Sequence, residues 1–171
     1  LTLRVMRQPK ELKKMNRKYT GDDYFCLIKK IKLQIPEVAI TTDCMVGFPG
    51  ETEINFQNTA NLIKMIIPLK VHIFPYSKRE GTAAAKNFSA QVSCSEIKER
   101  VLCLKEIADK CSDVYKRGFL NTYTDVLIEG PCKDKPGIWE GHTDNYLKVI
   151  VKTNLNLKNQ IISVRIIRVV Q

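Results

Sequence analysis

The residues best suited to chemistry stand where an apolar run ends. Thr41-Thr42-Asp43-Cys44-Met45-Val46 leads into Gly47-Phe48-Pro49-Gly50-Glu51, and Thr52 follows with helix-capping character. A strand–loop–helix corner of this kind gathers backbone N–H groups and a helix N-terminus, which suits a nucleoside or a phosphate-like group. The two glycines leave out side chains where a ligand would approach the backbone. The same five residues serve equally well as a tight turn that binds nothing. Asp43 offers an acid, a base or an orienting hydrogen bond. A second group, His72-Ile73-Phe74-Pro75-Tyr76-Ser77, closes another apolar run with two aromatics and a hydroxyl. Phe74 and Tyr76 alternate with Ile73, so they share a strand face, where they wall a heterocycle or fill a core. Arg79 follows as a phosphate contact or an ordinary surface arginine.

A third group is Gly141-His142-Thr143-Asp144-Asn145-Tyr146, which has hairpin-loop composition. Trp139 and Tyr146 lie near Lys148 and Lys152, and His142 and Asn145 stand between them. Aromatic rings mixed with bases are how β modules hold single-stranded RNA, although a hairpin with one core aromatic explains the same residues. The six cysteines (Cys26, Cys44, Cys94, Cys103, Cys111 and Cys132) include no C-x-x-C pair, and neither histidine has zinc spacing with them. No metal site is expected. The thiols read as buried groups in a reducing, cytosolic compartment.

These residues need elements to position them. Residues 1–6 alternate weakly, as a strand does, and 9–18 read as a short basic helix. Thr20 with Asp23 has capping-box spacing. The helix behind it carries an apolar stripe of Tyr24, Leu27, Ile28, Ile31 and Ile35 and stops at Pro36. Residues 38–46 are so continuously apolar that a strand buried on both faces is expected. Thr52 caps the next helix, with Asn55 at the third position and Phe56, Ala60, Ile63 and Ile67 on one face. Pro68 stops it, and Leu69 to Tyr76 form a third strand. This βαβαβ order predicts a parallel sheet with right-handed crossovers. Lys78 to Gln91 reads as a loop. Ser93 with Glu96 starts a long helix that carries Ile97, Val101, Leu104, Ala108, Cys111 and Tyr115 to a glycine cap at Gly118.

After Phe119 the texture changes. Short β segments at Asp125–Glu129, Ile138–His142, Tyr146–Thr153 and Gln160–Val170 alternate with turn residues, which suggests a small antiparallel barrel of the oligonucleotide-binding sort. Two domains are expected, 1–118 and 119–171. Three parallel strands with two crossovers leave a sheet edge without a partner, so a further portion of the sheet is expected from elsewhere.

Composition narrows the class. No apolar run approaches the roughly 20 residues that a membrane helix needs. The formal net charge is +10, and residues 1–20 hold seven bases against one acid. That balance favours a polyanionic partner such as nucleic acid, or else a solvated basic helix face. The first residue is Leu, and a fragment is expected.

Four motifs occur in order: Leu12-Lys13-Lys14-Met15-Asn16-Arg17-Lys18-Tyr19-Thr20, Ala39-Ile40-Thr41-Thr42-Asp43, Val46-Gly47-Phe48-Pro49-Gly50-Glu51-Thr52, and Phe74-Pro75-Tyr76-Ser77 with Arg79-Glu80-Gly81-Thr82. This succession resembles the second half of the radical S-adenosylmethionine methylthiotransferases, and the tail resembles their closing RNA-binding TRAM domain. The stretches His72–Ser77 and Gly141–Leu147 look most like the branch that acts on N6-threonylcarbamoyladenosine in tRNA.

The resemblance implies an α/β fold: the C-terminal part of a partial (β/α) radical S-adenosylmethionine barrel, then a small OB-like antiparallel β-barrel. It implies a cytoplasmic transferase that installs a methylthio group on adenine C2 next to the anticodon, with S-adenosylmethionine and two [4Fe–4S] clusters as cofactors. The cluster ligands are absent from this chain, so it is expected to be inactive without a cluster-bearing N-terminal half. Carried over by motif, Cys44, Met45, Val46, Gly47, Phe74, Pro75, Tyr76 and Ser77 would wall the nucleoside of S-adenosylmethionine. Trp139, His142, Asn145, Tyr146, Lys148 and Lys152 would contact tRNA, and no membrane partner is implied. Val5-Met6-Arg7-Gln8 departs from the family's small-residue stretch near that ligand. The competing expectations are a non-catalytic RNA-binding remnant and an unrelated α/β enzyme working at the Gly47–Glu51 corner.

Overall fold

The computed structural model describes residues 2–4, 19–82, 91–133 and 135–170. The chain divides into two compact units, Leu1–Tyr115 and Lys116–Gln171. The basic helix expected at 9–18, the divergent stretch at 5–8 and most of the loop expected at 78–91 lie outside the described residues.

Local chemistry starts each helix of the first unit. Helix α1 (Gly21–Gln34) opens on Thr20, whose hydroxyl accepts from the Asp23 N–H at 3.1 Å while the Asp23 carboxylate accepts from the Thr20 N–H at 2.8 Å. The Thr20 hydroxyl, which donates to the Asp23 carboxylate at 2.7 Å, and the Thr20 N–H hold that carboxyl below its ordinary range. Thr52 caps α2 (Glu53–Ile66) by accepting from the Asn55 N–H at 3.3 Å. That helix ends at Ile67, a non-glycine residue in the left-handed region with φ 44°, ahead of Pro68. The Lys32 ammonium, reaching across from α1, donates to the Ile66 carbonyl at 2.6 Å and so satisfies an orphaned helix end. Ser93 and Glu96 form a second reciprocal pair at the start of α3 (Cys94–Arg117), with bonds of 3.1 and 3.2 Å. Gly118 follows α3, but the left-handed residue of that turn is Asn121, with φ 66°.

Strands β1 (Thr2–Arg4), β2 (Thr41–Val46) and β3 (Lys70–Pro75) form a parallel sheet in the order β1-β2-β3. The expectation that residues 38–46 are buried on both faces is corrected. Burial along β2 alternates: Thr42, Cys44 and Val46 are buried, whereas Thr41, Asp43 and Met45 are half-buried. The buried side meets Tyr24, Ile28, Phe56, Ile63, Leu104 and Cys111, so all three helices pack on one face of the sheet. The α1 stripe is also narrower than expected. Tyr24 and Ile28 are buried, but Leu27 and Ile35 are exposed, because Ile35 already lies past the last turn.

In the second unit, β4 (Tyr123–Pro131), β5 (Ile138–His142), β6 (Lys148–Lys152) and β7 (Ile161–Arg165) form an antiparallel half-barrel in the order β6-β5-β4-β7. Val126, Ile128, Val149 and Leu157 are its buried centre. Strand β4 is longer than expected, and β6 and β7 are shorter. Tyr146 belongs to a loop, with φ 63°, not to a strand. A register shift between Ile128 and Gly130 makes Glu129 the bulged residue of β4. The two units are the α/β layer and the antiparallel module that the resemblance implies. Among the described residues, no helix is long and apolar enough to cross a membrane.

Candidate functional site

In the first unit, the C-terminal ends of β2 and β3 meet. The ladder runs one residue past β3, where the Tyr76 N–H donates to the Val46 carbonyl at 2.7 Å. The Phe48 and Tyr76 rings lie edge to face with centroids 5.4 Å apart. The loop after β2 and the tail of β3 therefore form one rim. The Tyr76 hydroxyl is buried at that rim and has no hydrogen-bond partner among the described residues. A buried orphan donor of this sort costs about 1–3 kcal/mol until something accepts from it.

The corner itself is closed from within. Gly47 and Gly50 take φ values of 80° and 86°, which favour glycine. The Gly47 N–H donates to the Glu51 carboxylate at 2.8 Å, and the Glu51 N–H donates to the Phe48 carbonyl at 2.8 Å. A Cβ on Gly47 would lie 2.5 Å from the Ile97 side chain, so the close approach that this glycine permits is to α3. Arg100 of α3 donates to the Glu51 carboxylate at 3.1 Å and to its carbonyl at 3.2 Å. Both side chains are almost fully buried, at 8% and 4% exposure. Arg100 also reaches Glu53 at 3.4 Å and sits over the Phe56 ring, 5.6 Å from its centroid.

The eight residues carried over to this rim divide by strand parity. Cys44 and Val46 point into the helix-packed core, where burial pushes the Cys44 thiol up to about 12. Only their backbone faces a rim ligand. Met45 and Phe74 are register partners on the opposite, half-buried face. Tyr76 and Gly47 stand at the rim, and Pro75 and Ser77 are exposed.

The RNA-contact candidates of the second unit divide in the same way. Trp139 pairs with Val151 and packs on the buried centre. His142 and Lys148 are register partners on the outer face, and Lys152 pairs with Ile138 there. Tyr146 is 78% exposed, with its ring 6.5 Å from that of His142. The loop holding it is fixed by buried Thr143, whose hydroxyl accepts from the Leu147 N–H at 2.9 Å and bonds the Asn145 side chain. Asn145 thus supports the loop. Two of these side chains already have acidic partners: His142 Nδ1 lies 2.9 Å from Glu129, and Lys148 donates to Glu140 at 2.6 Å. The Lys148 bond holds the Glu140 carboxyl below its ordinary range, with help from Cys132.

No protein-family model matches the chain. Similarity to curated proteins is extensive. A tRNA-2-methylthio-N(6)-dimethylallyladenosine synthase of Fusobacterium nucleatum is 41% identical over 155 residues, 91% of this chain and 35% of that protein. An enzyme of the same description from Acetivibrio thermocellus is 41% identical over 91% of this chain and 32% of its own length. The Bacillus subtilis threonylcarbamoyladenosine tRNA methylthiotransferase MtaB is 37% identical over 159 residues, 92% of this chain and 35% of that protein. The chain is related to the tRNA methylthiotransferases. It spans about a third of the length of these relatives, and identities of 41% and 37% do not choose between the two substrate branches.

Glu51 and Arg100 are the polar centre of this corner; the sequence motif includes Glu51 only as part of the turn, and it gives Arg100 no role. One signal was present. Arg100 stands three residues after Ile97 and four before Leu104, so a charge interrupts an apolar helix stripe. A cation there needs a buried anion.

Proposed function

We propose that this chain is the C-terminal part of a tRNA methylthiotransferase that adds a methylthio group to C2 of N6-threonylcarbamoyladenosine next to the anticodon, in the cytoplasm. The observation that carries the reading is similarity to such enzymes across nine-tenths of the chain, through both compact units. The choice of the threonylcarbamoyl branch rests on the resemblance of His72–Ser77 and Gly141–Leu147.

The rim suits the nucleoside of S-adenosylmethionine. The unpartnered Tyr76 hydroxyl is a donor for a sugar or base acceptor, and Met45 with Phe74 gives an apolar rung for a ring to lie against. Bound there, S-adenosylmethionine would supply the methyl group and the hydrogen-abstracting chemistry. The chain's own residues would orient it and keep water from one side of it. The iron–sulfur clusters do not fit this chain: among the described residues no three His, Cys, Asp or Glu side chains come together to hold a metal. On this reading the cluster ligands belong to the two-thirds of the relatives' length that the chain does not match. In the second unit, Tyr146 offers an exposed stacking surface for an RNA base, and exposed Lys152, at the other end of β6, is available for phosphate.

The exposed Tyr146 also motivates the second reading, a non-catalytic RNA-binding remnant. The test is to combine the chain with a cluster-loaded N-terminal portion of a relative and to examine tRNA by mass spectrometry. A methylthio adduct on threonylcarbamoyladenosine is the expected result. No adduct from a folded, loaded assembly that still binds tRNA overturns the catalytic reading and favours the remnant.

A further inference from the structure

Phe48 stands between two hinges. Strand β2 ends at Val46 and α2 begins at Glu53. Within that gap, Gly47 and Gly50 take left-handed φ values of 80° and 86° on either side of Phe48 and Pro49. Neither regular element fixes the Phe48 ring, and glycine backbone turns easily. Hydrogen bonds to Glu51 hold the segment instead. The Gly47 N–H donates to the Glu51 carboxylate, and the Glu51 N–H donates to the Phe48 carbonyl. From α3, Arg100 donates to both the carboxylate and the carbonyl of Glu51. Arg100 is itself confined, with Glu53 at 3.4 Å, Glu96 at 3.9 Å and the Phe56 ring centroid at 5.6 Å. The same contacts continue to the rim. The Phe48 ring, 3% exposed, meets the Tyr76 ring edge to face, and the Tyr76 hydroxyl is the buried group without a hydrogen-bond partner among the described residues.

We infer that Arg100 is a positioning residue for the nucleoside of S-adenosylmethionine: by fixing Glu51 from α3 it sets the Phe48 ring, and through that ring the place of the Tyr76 hydroxyl. The inference rests on the nucleoside site proposed above and deepens it. Arg100 is almost fully buried beneath the turn, so it acts through its neighbours and not on the ligand. A hydroxyl donor bonds well over only about 0.5 Å of donor–acceptor distance. Edge-to-face ring pairs persist over centroid separations of about 4.5–7 Å. The ring contact alone therefore tolerates more movement than the hydrogen bond does, and small misplacements at a binding site are costly. A turn clamped at Glu51 removes that freedom. The guanidinium suits the task, because its planar fork holds a carboxylate and a carbonyl at once, whereas an ammonium is a point charge on a flexible stem.

The test uses the whole chain assembled with a cluster-loaded N-terminal portion of a relative and reads S-adenosylmethionine affinity by equilibrium dialysis. Arg100→Met alone leaves Glu51 buried and unpaired, so it is combined with Glu51→Gln, which removes the second charge and keeps an acceptor for Gly47. Urea unfolding of each chain establishes that it is folded. The double variant should bind S-adenosylmethionine about tenfold more weakly than the wild-type chain, as should Tyr76→Phe, the loss expected for one hydrogen bond. All three substitutions together should cost no more than Tyr76→Phe alone, because no hydroxyl is then left to misplace. Arg100→Lys, a second variant that keeps the charge without the fork, should weaken binding about threefold. A pair that served stability alone would leave affinity unchanged in folded variants. Wild-type affinity in the double variant or in Arg100→Lys, or a triple variant in which the losses add, overturns the inference. If Tyr76→Phe is weak while both Arg100 variants bind normally, this inference alone falls. If Tyr76→Phe binds normally, or the wild-type assembly binds no S-adenosylmethionine, the nucleoside site falls with it.

Discussion

Arg100 and Glu51 show how a buried charge pair can fix a loop. The carboxylate has two tasks, since it accepts from the Gly47 N–H and from Arg100. Arg100 bonds both the side chain and the carbonyl of Glu51, so α3 holds the β2–α2 corner at two points. Truncating one partner leaves the other charged and dehydrated. Arg100→Met should therefore cost about 3–5 kcal/mol in urea unfolding. Glu51→Gln keeps an acceptor for Gly47 and removes the negative charge. Combined with Arg100→Met it should recover most of that loss, because neither buried charge then remains. A double variant that merely sums the two single losses would show that the pair is not coupled. These residues lie 49 positions apart, so nothing local joins them. What the sequence did show was the anomaly of an arginine in an apolar stripe.

At the level of elements, features encoded within four residues were readable and features set by register were not. The pairs Thr20–Asp23, Thr52–Asn55 and Ser93–Glu96 cap their helices as their spacing implies, because a cap needs only its own first turn. The side that Trp139 faces depends on pairing with Val151 and on the bulge at Glu129, which no window of β5 contains. The two-sided burial expected for β2 failed for a related reason. Its continuous apolarity includes Met45 at the rim, where the residue faces the open side of the sheet. Register also makes Gly141 irreplaceable: a Cβ there would lie 2.1 Å from the Leu127 carbonyl oxygen, against backbone that the ladder holds in place. Gly141→Ala should cost at least about 2 kcal/mol and lower the thermal midpoint of the second unit. Gly130→Ala, one bulge away, adds a carbon with nothing within 4 Å and should stay within about 0.5 kcal/mol. Equal effects from the two would mean that the β4–β5 ladder yields more readily than its geometry implies.

For the molecule as a whole, charge is the property most directly connected to the proposed tRNA partner, and it is unevenly distributed. The net charge of +10 draws on seven bases among residues 1–20 with a single acid between them. In the second unit, the Lys148 ammonium and the His142 imidazole are matched by Glu140 and Glu129. A matched lysine releases few counterions when RNA arrives, because its carboxylate partner must first be displaced or remain to repel phosphate. The salt dependence of tRNA binding should therefore owe little to Lys148 and most to the excess of bases over acids in residues 1–20. The logarithm of affinity should fall linearly with the logarithm of salt concentration. Lys13→Ala with Lys14→Ala should flatten the slope by about 1.5, twice the roughly 0.7–0.9 that each phosphate contact contributes. Lys148→Ala should change it by less than about 0.5. Fluorescence anisotropy with labelled anticodon stem-loop across a salt series measures both. If Lys148→Ala gave the larger change, the ion pair with Glu140 would have to open on binding. The outer face of the β module would then be the principal phosphate surface, and the basic first twenty residues a solvated appendage.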